Sequence, residues 1–122
     1  MNLKDPKLIA LQFNEYINNQ DLEGLTSLMT ENHIFIDRNG NRYGDMVNGW
    51  KNFFENYPTY KNIFRRVESR DNIVILIGYA KWSNESPEKD HAIWIAMIEN
   101  DHVAVWQIYE DTEENRNKLS LK

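Results

Sequence analysis

Cysteine is absent from the 122 residues, which excludes a disulfide framework, a thiolate nucleophile and a zinc–thiolate site. Positive charge is in deficit. Fourteen Lys and Arg stand against nineteen Asp and Glu, a net of −5, which argues against nucleic acid or an anionic membrane as the partner, because phosphate binding needs a concentrated positive surface. Long apolar runs are missing as well. Charged or polar residues interrupt every apolar stretch behind Met1-Asn2-Leu3-Lys4-Asp5-Pro6, so nothing resembles a signal-peptide core or the roughly 18 apolar residues of a membrane span. The expectation is a soluble, cytoplasmic protein. There is no repeat, low-complexity tract or linker, and the length gives a single domain, 1–122, able to bury a core without metals or disulfides. Aromatics, by contrast, are plentiful: four Trp, six Tyr and five Phe. They suit either a thin core or a large apolar cavity, and composition does not separate the two.

Asp5-Pro6 reads as an N-cap followed by proline at the first helical position. Leu8, Ile9, Phe13, Tyr16 and Ile17 follow at helical spacing to about Asn18. Asp21 caps a short second helix carrying Leu22, Leu25, Leu28 and Met29. His33 to Arg38 alternates like a strand and runs into the hairpin signal Asn39-Gly40, with Asn41-Arg42-Tyr43 as the return. Gly44-Asp45 opens a third helix with Met46, Trp50, Phe53, Phe54 and Tyr57 on one face, closed by Pro58. Four strands are expected after it: Tyr60 to Arg70, Ile73 to Ser83, Asp90 to Ile98 and His102 to Tyr109. Their separators are Asp71-Asn72, the Asn84 to Lys89 loop with Pro87, and Asn100-Asp101, each short enough for an antiparallel meander. Lys61, Arg65, Arg66 and Arg70 make one strand basic, with Arg65 and Arg66 on opposite faces, a solvated edge that discourages strand addition. Residues Thr112 to Lys122 read as a charged, frayed tail beyond a core of about 5–111. Three helices followed by a strongly curved antiparallel sheet make an α+β fold, a cone whose interior suits a small molecule.

This order of elements resembles the nuclear transport factor 2-like superfamily, and more closely its SnoaL-like, ketosteroid isomerase-like branch, a cystatin-like α+β roll. Three stretches carry the resemblance. Asn18-Asn19-Gln20-Asp21-Leu22-Glu23-Gly24-Leu25 is similar to the family's N-x-x-D-L-(D/E)-x-L helix junction. His33-Ile34-Phe35-Ile36-Asp37 resembles its first strand, (A/T)-x-(V/F)-x-D. Trp106 to Asp111 resembles its closing strand, W-R-D-Y-F-D. In the family's isomerases, a first-strand aspartate is the base, and a helix tyrosine and a later strand acid hold the oxyanion. The base position is matched by Asp37. The tyrosine position falls on Phe13, with Tyr16 one turn further on, and the later acid falls near Ile93 or Ile95. The aspartate that epoxide hydrolases carry in the closing strand is Ile108 here, Gln107 replaces their arginine, and Gly78 to Lys81 holds no acid for their Arg-x-Asp pair. Neither established mechanism carries over.

Strand parity supplies the remaining candidates. If Asn100-Asp101 is a two-residue turn, Ile95 faces Trp106, Ile93 faces Ile108 and His91 faces Glu110, all on one sheet face. The resemblance points Ile108 into the cone, so Ile93, Ile95, Met97, Trp106 and Ile108 form the expected wall, with His91 and Glu110 as a polar pair at one end. Trp94, Gln107 and Tyr109 then face outward, where the family commonly dimerises. Phe13, Trp50, Phe54 and Trp82 complete the candidate ligand contacts, and parity leaves open whether Tyr79 or Trp82 points inward.

Asp37 is the leading functional candidate. On an apolar strand, desolvation would raise its pKa and make it a usable base; beside Asn39-Gly40, it equally reads as a turn residue bonding nearby amides. His91 with Glu110 reads as an acid–base pair or as an exposed cross-strand pair. His33 and Asp37 lie about 13 Å apart along a strand, too far to share a metal ion, so no metal or other cofactor is implied. Three functions remain open: a proton-transfer enzyme on a small apolar or aromatic substrate, with Asp37 as base assisted by His91 or Tyr16; a non-catalytic binding module for such a ligand; or a structural homodimer whose cavity its own aromatics fill.

Overall fold

A computed structural model describes residues 5–83 and 89–121. Met1 to Lys4, positions 84–88 of the expected Pro87 loop, and Lys122 lie outside the described residues. Helix α1 (Pro6–Asn18) starts where the sequence places it, because the Asp5 carboxylate accepts from Lys7 N at 3.0 Å and proline loses no helical bond at the first position. Asp21 caps α2 (Leu22–Ser27) in the same way through Gly24 N. This second helix is shorter than its leucine spacing suggests. The Leu28 carbonyl accepts from Val103 N at 2.7 Å, and Met29 is already strand.

Strand β1 (Met29–Ile36) turns through a three-residue loop, Arg38 to Gly40, into β2 (Arg42–Tyr43), with Gly40 at φ +82°. Helix α3 (Met46–Asn56) follows, then β3 (Lys61–Arg70), β4 (Ile73–Lys81), β5 (Asp90–Glu99) and β6 (His102–Glu110). The curved, unclosed six-stranded sheet runs β2-β1-β6-β5-β4-β3. All pairings are antiparallel except β1 with β6, which is parallel. This is the α+β fold expected, with one parallel seam that a meander does not provide.

Two bulges set the faces of the sheet. Glu99 stands opposite His102 and Ile98 opposite Val103, but Met97 then pairs with Val105, leaving Ala104 as an extra residue. Because side chains alternate with period two, one inserted residue exchanges the two faces beyond it. Trp94 therefore pairs with Ile108 and Ala96 with Trp106, while Ile93 pairs with Tyr109 and Ile95 with Gln107. The expected wall of Ile93, Ile95 and Met97 is overturned. A second bulge between Phe64 and Arg66 puts Arg65 over the Tyr79 ring and Arg66 opposite Ile77, so both arginines lie on the outer face rather than on opposite ones.

The inner face packs Val74, Leu76, Ala92, Trp94, Ala96 and Trp106 against Ile9, Phe13 and Ile17 of α1. Asn18 ties α1 to edge strand β3, its side chain accepting from Asn62 N at 2.8 Å and donating to Asn62 O at 2.9 Å. An amide side chain thus occupies backbone groups that a foreign strand would use.

The outer face carries a second cluster of Ile75, Ile77, Ile93 and Leu121. The frayed tail gives way to helix α4 (Glu113–Lys118), capped by Thr112 Oγ1, with Glu113 and Glu114 in its first turn and Arg116 and Lys118 in its last. That charge order suits the helix dipole. Arg116 pairs with Asp111 at 2.7 Å, and Arg70 donates to the carbonyls of Leu119 and Ser120. Leu121 is thereby held on the sheet.

Gly78 lies at the β3 bulge, where an added Cβ would run into the Ile63 carbonyl oxygen and come within 2.8 Å of Phe64 Cα. Both obstacles are backbone and cannot rotate away. Gly78→Ala is expected to cost about 3 kcal/mol, read as a lower urea midpoint at unchanged slope; a midpoint within error of wild type would mean the bulge relaxes freely.

Candidate functional site

A cavity of about 580 Å³ lies between α3 and the inner face of the sheet. Met46, Gly49, Trp50 and Phe53 line it from α3; Phe35, Trp94, Trp106 and Ile108 line it from β1, β5 and β6. Aromatic contacts fix these walls: Trp50 packs edge-on against Phe35 at 6.0 Å and against Phe53 at 5.6 Å, and Trp106 rests on Phe13 at 4.9 Å. Trp82 and Tyr60 stand at one side, 4.9 Å apart and both beside Phe53. Burial pushes the Tyr60 hydroxyl far up, the nearby Asp90 adds to this, and Arg38 and a hydrogen bond with Asn62 offset it in part. Tyr60 is protonated at any ordinary pH.

The polar groups gather on the rim. Asp37 accepts four hydrogen bonds, from Asn39 N and Asn41 N at 2.9 Å, Tyr43 Oη at 3.0 Å and Asn41 Nδ2 at 3.2 Å. Desolvation is the largest single influence on its carboxyl and works upward, but the four donors together outweigh it and leave the pKa below the ordinary 3.8. The expected rise is overturned: the side chain follows the hairpin loop, and its charge is stabilised by the turn's own N–H groups. Arg38 reaches across the rim to Asp90 at 2.8 Å, and the same carboxylate oxygen accepts from Trp82 Nε1 at 3.0 Å.

The three catalytic candidates do not assemble. Asp37 is on the rim. His91 is exposed on the outer face, opposite Tyr79 with ring centroids 6.0 Å apart, and the Ala104 bulge sets Ala92, not His91, opposite Glu110. Tyr16 packs against Gly24, whose missing Cβ leaves room for the ring. Of the ligand candidates, Trp50, Trp82, Trp106 and Ile108 line the cavity. Phe13 and Phe54 lie in the packed core, Ile93 and Ile95 belong to the outer cluster, and Glu110 is exposed at the end of β6. The open choice between Tyr79 and Trp82 resolves to Trp82 inward. Parity missed Trp94, Phe35, Tyr43, Met46, Phe53, Tyr60, Arg38 and Asp90. One signal was available for Trp94: Ala92, Trp94 and Ala96 alternate small, large, small, a profile that lets helices approach, whereas His91, Met97 and Glu99 mark the opposite face as wet. Among the described residues, no cluster of three potential ligands could hold a metal ion, and no helix is long and apolar enough to cross a membrane.

No family model matches the chain, and no curated protein matches it in sequence. Solved structures do match in shape. A cystatin-fold protein from Novosphingobium aromaticivorans superposes with TM-score 0.76 at 16% identity, over 87% of this chain and 98% of the other. An NTF2-like protein of unknown function from Cytophaga hutchinsonii gives 0.71 at 19%, over 98% and 99%. A protein proposed to be a SnoaL-like polyketide cyclase, from Shewanella putrefaciens, gives 0.77 at 12%, over 99% and 89%. At such identities the likeness establishes the fold, and the fold alone selects no activity.

His33, in the middle of β1, is buried, and its Nδ1 donates to the Val103 carbonyl at 2.7 Å. The neutral ring then keeps Nε2 bare, with no partner among the described residues. Burial holds its pKa below the ordinary 6.5, only partly offset by the Val103 bond. A proton taken up below that value goes preferentially to the unfolded chain, so stability falls as pH drops below about 6.5. Asp37 and Asp111, both held below 3.8, lose their contribution only near and below that value. The urea midpoint is expected to fall between pH 6.5 and 5, and His33→Gln to flatten that slope; a flat wild-type profile over the same window would contradict the burial of a neutral ring.

Proposed function

We propose that this chain, with its NTF2-like fold, is a small-molecule-binding domain of the SnoaL-like type whose ligand is an apolar or aromatic molecule held beneath α3. The observation that carries this reading is the cavity itself: about 580 Å³, walled chiefly by aromatic and aliphatic side chains with its charged groups confined to the rim. Its size lies within the roughly 300–1,000 Å³ of small-molecule sites. Binding without acid–base chemistry is the better-supported form. A base with a lowered pKa and four donors on its carboxylate is a weak proton acceptor, and neither His91 nor Tyr16 is placed to assist it.

The second reading, an isomerase- or cyclase-like proton-transfer enzyme using Asp37, rests on one observation, the place of Asp37 at the cavity rim. The homodimer through the outer sheet face becomes a narrower proposal. Leu119 and Leu121 pack on the cluster of Ile75, Ile77 and Ile93, leaving Ile63 and Met97 as the exposed apolar residues of that face.

Titration of ¹⁵N-labelled protein with 2-ethylnaphthalene tests the binding reading. The expected amide shifts centre on Phe35, Phe53, Trp94 and Ile108, and Ile108→Trp, which fills the cavity, abolishes them. Asp37→Asn is expected to leave affinity within about threefold. Shifts scattered over the outer face, or none, would remove the binding reading; loss of affinity in Asp37→Asn with the rim signals of Arg38, Tyr43 and Trp82 unchanged would return Asp37 to the ligand and favour the enzyme.

A further inference from the structure

We infer that Met46 and Gly49 make one wall of the cavity adjustable, so that the site takes apolar ring systems of more than one width, up to fused polycycles; this deepens the binding reading and rests on it. Met46, Gly49, Trp50 and Phe53 stand at i, i+3, i+4 and i+7 of α3, on one face, and all four line the cavity. Two of them are fixed by ring contacts. Trp50 packs on Phe35, Phe53 and Phe54 at 6.0, 5.6 and 5.7 Å, and Phe53 on Tyr57, Tyr60 and Trp82 at 5.1, 4.8 and 5.8 Å. Met46 differs in kind: it is only half-buried, and its unbranched thioether chain turns about three bonds.

Glycine is a poor residue inside a helix, because it loses more backbone freedom on folding than any other. The geometry at position 49 shows what its place there allows. A Cβ added to Gly49 would lie 2.9 Å from Met46 Sδ and 3.1 Å from Met46 Cε, and the first of these is closer than real side-chain carbons come. The thioether end therefore rests in the notch that the missing side chain leaves, one turn along α3. The other crowded glycines are different. An added Cβ meets backbone at Gly78 and the Tyr16 ring at Gly24, whereas at Gly49 it meets the far end of a flexible chain. Folded into the notch, Met46 leaves the cavity its full width for a broad ligand. Swung out of the notch, the same chain closes on a narrower one, and methionine makes such changes at little cost. The aromatic walls stay fixed while this one moves.

Two probes of different width test this: pyrene, followed by its own fluorescence, and 2-ethylnaphthalene, followed by ¹⁵N amide shifts. The wild-type protein is expected to bind both, with dissociation constants within about tenfold of each other. Gly49→Ala drives the thioether end out of its notch, and the affinity for pyrene relative to 2-ethylnaphthalene is expected to fall at least about tenfold. Adding Met46→Ala to Gly49→Ala removes the displaced chain and is expected to restore that ratio to within about threefold of wild type, a recovery that a bent or loosened α3 would not give. The urea midpoint of Gly49→Ala should not drop below wild type, since alanine is the better helix former; a lower midpoint would show that the helix yields instead of Met46 and would sink the pairing. An unchanged or raised affinity ratio in Gly49→Ala, or no recovery in the double variant, would overturn the inference. Wild-type binding of 2-ethylnaphthalene without pyrene would overturn the adjustable wall while leaving the cavity a binding site. Failure of both probes would remove the binding reading together with the inference.

Discussion

Val103 is the residue on which the two faces of the sheet depend. Its N–H donates to the Leu28 carbonyl and its own carbonyl accepts from His33 Nδ1, each at 2.7 Å. The two polar backbone groups of one β6 residue are thus bonded to Leu28, just before β1, and to His33 within it, and the parallel β1–β6 seam starts there, at Met29 opposite Val103. With Val103 held, the next residue, Ala104, is the one left over against β5. A bulge costs a place in the ladder, and here the gain is that Trp94, Trp106 and Ile108 turn toward the helices while Ile93, Ile95 and Tyr109 turn away. The imidazole that secures this arrangement sits against Phe13, ring centroids 5.7 Å apart, in the same core as Trp106. The His33 ring thereby links the seam, the bulge and the wall of the cavity.

The concave face is shared unequally between two helices. Helix α1 lies across β3, β4, β5 and β6, whereas α3 touches α2 and β1. The half under α1 is packed solid; the half under α3 is roofed through aromatic edges that hold the helix off the sheet, and the cavity is the space between. On the convex side, β4 offers Ile73-Val74-Ile75-Leu76-Ile77, a run with no polar alternation. Such a strand needs cover on both faces, and Leu121 supplies part of it from the chain's own C-terminal segment.

Much of this was legible. Asp5-Pro6 and Asp21 announce their helices through side chains whose local bonding does not depend on the rest of the fold. The last four strands begin and end within two residues of where turn chemistry puts them, because Asp71, Asn100 and Asp101 tolerate the positive φ their hairpins require. What was not legible is non-local. A bulge is created by what Val103 meets across the sheet, and nothing within Val103-Ala104-Val105 signals it. Counting parity through it therefore exchanged the faces and put Ile93 and His91 in a pocket from which both are excluded. The tail was misread for the same reason: its charges describe the outside of α4, while Arg70, 49 residues before Leu119, and the outer isoleucines hold its end.

Asp37 shows how a position with a chemical precedent is put to mechanical use. The residue that the resemblance marks as a base sits one step past the end of β1, where the chain must reverse within three residues. Its carboxylate gathers Asn39 N, Asn41 N and the Tyr43 hydroxyl, so the loop closes around a single anion. Arg38, carried on that loop, is then presented to Asp90 at the start of β5, and Asp90 in turn orients the Trp82 indole. One carboxylate thereby sets the loop, the loop sets the guanidinium, and the guanidinium joins the two ends of the rim. A free base in this position would have to give up those donors. The lowered pKa is the thermodynamic expression of their hold, and it makes Asp37 a support for the cavity mouth.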